Sequence, residues 1–125
     1  MTTHLTDTNI FSAIFKGNAN VKEFVESFEN SVDATVYVEC LQGSKSNREK
    51  QIIRKYLSRF SLFYHTPEIS KRTIEIIDKY SSSHGLLLPD AQIAAVCLEY
   101  GLSLITYNVN DFKFINGLNC LKPSV

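Results

Sequence analysis

The 125-residue sequence predicts one α/β domain built on a mainly parallel sheet of four or five short strands. Three observations carry that expectation. Strand-like and helix-like segments alternate along the chain, the order that makes parallel sheets through helical crossovers. Residues 102–106 form an apolar, β-rich run of the kind buried on both faces. From Asp90 the chain is apolar nearly all round a helix until Glu99, and such a helix lies inside a protein.

Composition sets further bounds. The hydrophobic share is 44% and the charged share 21%, ordinary values for a globular protein. This length buries a single core without disulfide or metal staples. No apolar run reaches the roughly 20 residues that span a bilayer. The N-terminal residues lack the basic and apolar regions of a secretory leader. Cys40, Cys97 and Cys120 are far apart in apolar surroundings, so reduced, packed thiols and a cytoplasmic location are expected. No Cys/His spacing suggests zinc. Net charge is zero, yet eight of the 13 basic residues fall between Gly43 and Arg72, against Glu49 and Glu68. That block is either an anion footprint or a solvated helix face.

Taken in order, residues 4–6 read as a first strand. A helix follows over residues 8–15, with Ile10, Phe11, Ile14 and Phe15 on one side and Gly17 ending it. Asn20 is placed to cap a second helix, with Glu23 in capping-box position. Val21, Phe24, Val25 and Phe28 mark its core face. Residues 33–37 read as the second strand, leading into a helix start at residues 38–41 that closes at Gly43. Ser46 or Asn47 caps the next helix, which runs to Phe60 with Ile52, Ile53, Tyr56, Leu57 and Phe60 as its buried stripe. Residues 62–64 form a short extended segment. Thr66-Pro67 opens a helix to Ser82, and residues 81–85 are a loop. Asp90 begins the buried helix, where it also suits a simple cap worth about 1 kcal/mol. Strand 102–106 runs into a polar loop at 107–112, and residues 118–121 form a last strand. His4, His65 and His84 occur singly and read as surface or structural residues.

Four acids stand out. Asp7, Glu39, Asp90 and Asp111 each follow or flank a strand, or begin a helix, beside apolar sequence. Glu39 either points outward or needs a partner, because a lone charge in apolar surroundings is costly. Ligand sites of open α/β sheets lie at the carboxyl ends of strands. If the four junctions share one edge, their carboxylates repel one another without a cation. Hard oxygen donors with no nearby Cys or His favour Mg²⁺ or Mn²⁺, ions suited to phosphodiester hydrolysis.

The order and context of four stretches resemble the PIN domain and, within it, the VapC-like toxin ribonucleases of type II toxin–antitoxin systems. They are Asp7-Thr8-Asn9, Tyr37-Val38-Glu39-Cys40-Leu41, the run from Pro89-Asp90 to Ala95, and the run from Thr106 to Phe112. The resemblance implies a single PIN-like domain over residues 1–125, a three-layer α/β/α sandwich. It implies a Mg²⁺- or Mn²⁺-dependent endoribonuclease, with Asp7, Glu39 and Asp90 as catalytic, metal-binding acids. The fourth position falls to Asp111 or to Asn108, where many relatives carry an acid. Thr8 and Thr106 suit hydrogen bonds to ligands or phosphate, and Asn9 fixes the turn at Asp7. The implied chemistry is in-line attack by metal-activated water on RNA, leaving a 5′-phosphate and a 3′-hydroxyl. Arg48, Lys55 and Arg59 would hold the RNA backbone. A cognate VapB-like antitoxin and a homodimer are also implied. Two alternatives stay open: a PIN-like module that binds RNA or protein without cutting, which Asn108 favours, and a free-standing RNA-processing nuclease. Asn9, where a haloacid-dehalogenase phosphatase needs its second Asp, argues against that fold. Thr6 before Asp7 argues against a receiver domain.

Overall fold

Five parallel strands in the order β3-β2-β1-β4-β5 form the spine of the molecule. The structure is a computed structural model that describes residues 1–124. The strands are β1 (His4–Thr6), β2 (Asn30–Asp33), β3 (Ser61–Phe63), β4 (Ser103–Ile105) and β5 (Cys120–Leu121). The helices are α1 (Thr8–Phe15), α2 (Ala19–Glu26), α3 (Ala34–Gln42), α4 (Asn47–Leu57), α5 (Pro67–His84) and α6 (Leu88–Tyr100). A 3₁₀ turn, Val109–Asp111, follows β4. The helices flank the sheet in the expected α/β/α arrangement. Leu5, Val32, Leu104 and Ile105 are fully buried, as central strands covered on both faces must be. Helix α6 packs chiefly against α5 and buries Ala91 and the run Ile93 to Cys97. No helix among the described residues is long and apolar enough to cross a membrane. The three cysteines are free, and burial pushes each thiol up, which keeps them protonated.

The main departure from expectation is at β2. The strand is Asn30–Asp33, not residues 33–37, and α3 begins at Ala34. Asp33 caps α3 by accepting the Val36 N–H at 2.9 Å. That cap outweighs the β propensity of Thr35, Val36 and Tyr37. Asn30 and Ser31 hide the true strand because their polar atoms are bonded inside the sheet. Thr6 Oγ1 donates to Asn30 Oδ1 at 2.7 Å, and Ser31 Oγ donates to the His4 carbonyl at 2.7 Å. Glu39 therefore lies well inside a helix rather than at its start.

Smaller differences fall at the ends of other elements. Asn18, not Asn20, caps α2 by accepting the Val21 N–H, and the helix stops at Glu26, so Phe28 lies beyond it. Ser46 caps α4, which stops at Leu57, and Ile52 is 53% exposed instead of joining the buried stripe. Helix α5 continues through residues 81–84 and ends at Gly85, whose φ of 67° takes the left-handed turn. Helix α6 starts at Leu88, so Asp90 sits in its first turn and is not its cap. Strands β3, β4 and β5 are each shorter than expected or displaced by one residue.

Candidate active site

Asp7 directly follows β1, the central strand, and is 6% exposed. Both its oxygens are held. Oδ1 accepts the Thr8 N–H at 2.7 Å, which caps α1, and Oδ2 accepts the Thr106 hydroxyl at 2.8 Å. Thr106 follows β4, the strand beside β1, and is fully buried. Its Oγ1 also accepts the Asn108 N–H at 3.0 Å. Asn9 Oδ1 accepts the Tyr107 N–H at 3.4 Å, joining α1 to the same loop.

The Thr8 hydroxyl donates to Glu39 Oε1 at 2.7 Å, so one residue after Asp7 reaches across to α3. Asp90 is half-buried in the first turn of α6. Asp111 is exposed on the 3₁₀ turn, and Asn108 is exposed just before it.

The charges of these acids act on one another. Burial pushes the Asp7 carboxyl up, the bonds from Thr106 and Thr8 oppose this, and the charges of Glu39 and Asp33 add to the rise. Burial, followed by the charges of Asp7, Asp111 and Glu39, pushes Asp90 up to about 6. Among the described residues the ion pairs are Arg59–Glu26, His65–Asp33 and Arg72–Glu99, and none reaches Asp7, Glu39, Asp90 or Asp111. Nor do any three acidic, His or Cys side chains among the described residues close into a chelating group as they stand. The four acids line one edge at coupling range and are not drawn into a cage. In chemistry the set fits a hard divalent cation: only oxygen donors, excess negative charge and no ion pair to these acids among the described residues.

One acid escaped the sequence reading. Asp33 ends β2 and is fully buried, and its Oδ2 meets His65 Nε2 at 2.8 Å. Thr35 Oγ1 lies 3.3 Å from the same nitrogen and donates to Gln92 Oε1 at 2.9 Å. The strand-end rule that singles out Asp7 applies equally to Asp33. Placing β2 too late concealed it.

The basic residues divide. Arg59 pairs with Glu26 at 3.5 Å and stands over the Tyr56 ring at 5.3 Å. With Met1, Thr2, Asn30 and Ser61 it lines a hollow at the amino ends of the strands, the edge opposite Asp7. Arg48 and Lys55 are exposed on α4. Lys16 and Lys45, which helix periodicity did not single out, line a groove of about 460 Å³ together with Glu39 and Ile52.

Comparison with known proteins adds a relationship to this geometry. A family model described as PIN domain matches residues 5–117. Ribonuclease VapC1 of Rickettsia felis is 31% identical over a 130-residue alignment that covers 96% of each chain. A chain in a toxin–antitoxin complex from Klebsiella pneumoniae is 30% identical, with a TM-score of 0.81 over 97% of this chain and 98% of that one. A chain of DNA-bound VapBC from Salmonella typhimurium shares the fold, with a TM-score of 0.85 at 20% identity over 98% of each chain.

Proposed function

The chain belongs to the PIN domain family, and we propose that it is a divalent-metal-dependent endoribonuclease, the toxin of a VapBC-type pair. The observation that carries this reading is the set of mutually repelling acids at the carboxyl edge of the sheet, none of which is ion-paired among the described residues. Asp7, Glu39 and Asp90 would hold Mg²⁺ or Mn²⁺, with Asp111 as the fourth acid. Asp111 suits that place because its charge already acts on Asp90. The ion, when bound, activates water and offsets the charge that builds on the phosphoryl group.

The chain's own groups prepare the site. Thr106 and the Thr8 N–H fix the two oxygens of Asp7, and the Thr8 hydroxyl orients Glu39. Asn108 contributes through its backbone N–H, which holds Thr106 in place. Lys16 and Lys45, with Arg48 and Lys55, supply positive charge for the RNA backbone. Arg59 serves the opposite edge of the sheet instead. A VapB-like antitoxin and self-association complete the reading. Relatives solved as toxin–antitoxin complexes support the first.

RNA cleavage should require added Mg²⁺ or Mn²⁺, stop with chelator, and be lost in Asp7→Asn and Asp90→Asn. Undiminished cleavage in either variant refutes the assignment. A non-cutting RNA- or protein-binding module is the second reading, favoured by Asn108. Calorimetry that finds RNA binding without Mg²⁺ or Mn²⁺ binding would select it. Comparing growth of cells that express the wild type or Asp7→Asn separates a toxin from a free-standing nuclease.

A further inference from the structure

Beside the acids, between the end of α5 and the 3₁₀ turn, lies a hollow of about 260 Å³ walled by His84, Leu87, Asp90, Asn110, Asp111 and Phe114. We propose that it is a nucleobase subsite, which receives one unpaired base next to the scissile phosphate of single-stranded RNA. This rests on the nuclease reading above.

The size comes first. Drug-sized ligands occupy about 300–1,000 Å³. A smaller hollow suits one flat ring system.

The wall is aromatic and fixed in advance. The rings of His84 and Phe114 stack with centroids 4.0 Å apart and planes within 9°. Tyr80 braces both, meeting Phe114 edge-on at 5.3 Å and His84 at 5.9 Å. Tyr80 is itself held by the Asn116 N–H, which donates to its hydroxyl at 3.1 Å. The platform therefore joins α5 to the segment after the 3₁₀ turn, and no ligand is needed to order it. Bases stack on such platforms with little regard to sequence.

Large apolar side chains are exposed at and next to the hollow. Leu87 is 70% exposed and Leu88 56%. Leu87 belongs to the hollow's wall. Asn110 also lines the hollow, and its amide can offer a donor and an acceptor to a base edge.

Electrostatics select the ligand. Asp90 and Asp111 line this hollow and also belong to the acid cluster. An uncharged base can lie against those carboxylates, whereas a second phosphate would be repelled. A base in the hollow leaves its own phosphate beside the acids. Paired bases cannot enter, so loops and single strands are the substrates.

The test begins by mapping where the wild-type chain cuts an unstructured RNA with Mg²⁺ or Mn²⁺. Oligonucleotides are then made with 2-aminopurine, or with an abasic site, on either side of that bond. With Mg²⁺ or Mn²⁺ present and a non-hydrolysable linkage at that bond, wild-type protein should quench 2-aminopurine on one side, and His84→Ser and Phe114→Leu should lose the quenching. His84 is exposed and Phe114→Leu keeps apolar bulk, so both variants should fold. With metal present, each variant should cut base-containing RNA about 5- to 100-fold more slowly. Abasic RNA should be cut by the variants as fast as by wild type. If the variants lose both substrates equally, the platform is only structural and the proposal fails. If neither the quenching nor the rates change, the hollow is not a base site and the proposal fails. If the wild type cuts no RNA at all, it is the nuclease reading that fails.

Discussion

Replacing Asp90 with asparagine should stabilise the metal-free protein at neutral pH while it abolishes cleavage. A carboxylate in the first turn of a helix normally gains about 0.3–1 kcal/mol from the helix dipole. Asp90 has that position and still ends with its carboxyl raised from 3.8 to about 6 by burial and by Asp7, Asp111 and Glu39. At about 1.4 kcal/mol per tenfold, that rise opposes ionisation by about 3 kcal/mol. Asp90 is only half-buried, so solvent screening lowers the figure to about 1–2 kcal/mol. The sign follows from proton linkage. The folded chain holds the Asp90 proton more tightly than the unfolded chain does. Stability is therefore lost as pH rises from 3.8 to about 6, and the penalty is complete above that range. Asparagine escapes the penalty. In chelator at pH 7.5, urea unfolding should place Asp90→Asn about 1–2 kcal/mol above wild type, and at pH 4.5 the gain should shrink to about a third. Added Mg²⁺ should raise the wild type and leave the variant much less changed. A variant less stable than wild type by the same amount at both pH values would refute the reasoning. Asp90 would then be a favourable helix-end charge and not a member of a repelling set.

Other perturbations test the supports of the site. Thr106→Val keeps the shape but removes the donor to Asp7 and the acceptor for Asn108 N–H, costing about 2–4 kcal/mol in urea unfolding. The same change raises the Asp7 carboxyl further, so the acid limb of the cleavage profile should move to higher pH; an unmoved limb would deny the bond its role. His65→Ala leaves the buried Asp33 carboxylate with the Val36 N–H alone and should cost about 2–4 kcal/mol. Combined with Asp33→Asn, the loss should be smaller than the sum of the single losses, and strict additivity would show that the pair does not interact. Leu57→Ala, at a side chain 1% exposed in the core, should cost about 2–5 kcal/mol, whereas a loss below about 1 kcal/mol would contradict its burial.

The α/β class was legible because strands and helices impose different apolar periods, and those periods alternate clearly along this chain. The strand-end position of Asp7 was legible because an amphipathic helix follows it directly. Asp33 obeys the same rule but was missed. Its strand opens with Asn30 and Ser31, whose polarity is hidden only once Thr6 and the His4 carbonyl are beside them. Partners from distant sequence thus moved β2 by three residues and concealed a strand-end acid. Arg59 failed for a related reason. Helix periodicity says which side of α4 is wet, but not which end of the helix approaches Asp7. The preference of Asn18 over Asn20 as a cap turned on which amide oxygen could reach the Val21 N–H.

The contrast between Asp33 and Asp7 says more than either acid alone. Asp33 ends a parallel strand and Asp7 directly follows one, both cap the helix that comes next, and both are buried. Asp33 has His65 Nε2 at 2.8 Å, an ion pair when that ring is protonated and a hydrogen bond when it is neutral. Asp7 has only neutral donors, and around it stand Glu39 and Asp90, which also lack a basic partner among the described residues. A fold selected only for stability would place a lysine or histidine there, as it does at Asp33, or replace the acids with neutral residues. Keeping them unanswered costs stability at neutral pH, and the gain expected from Asp90→Asn measures that cost. The charge deficit at this edge is therefore better evidence for a cation site than the number of acids gathered there.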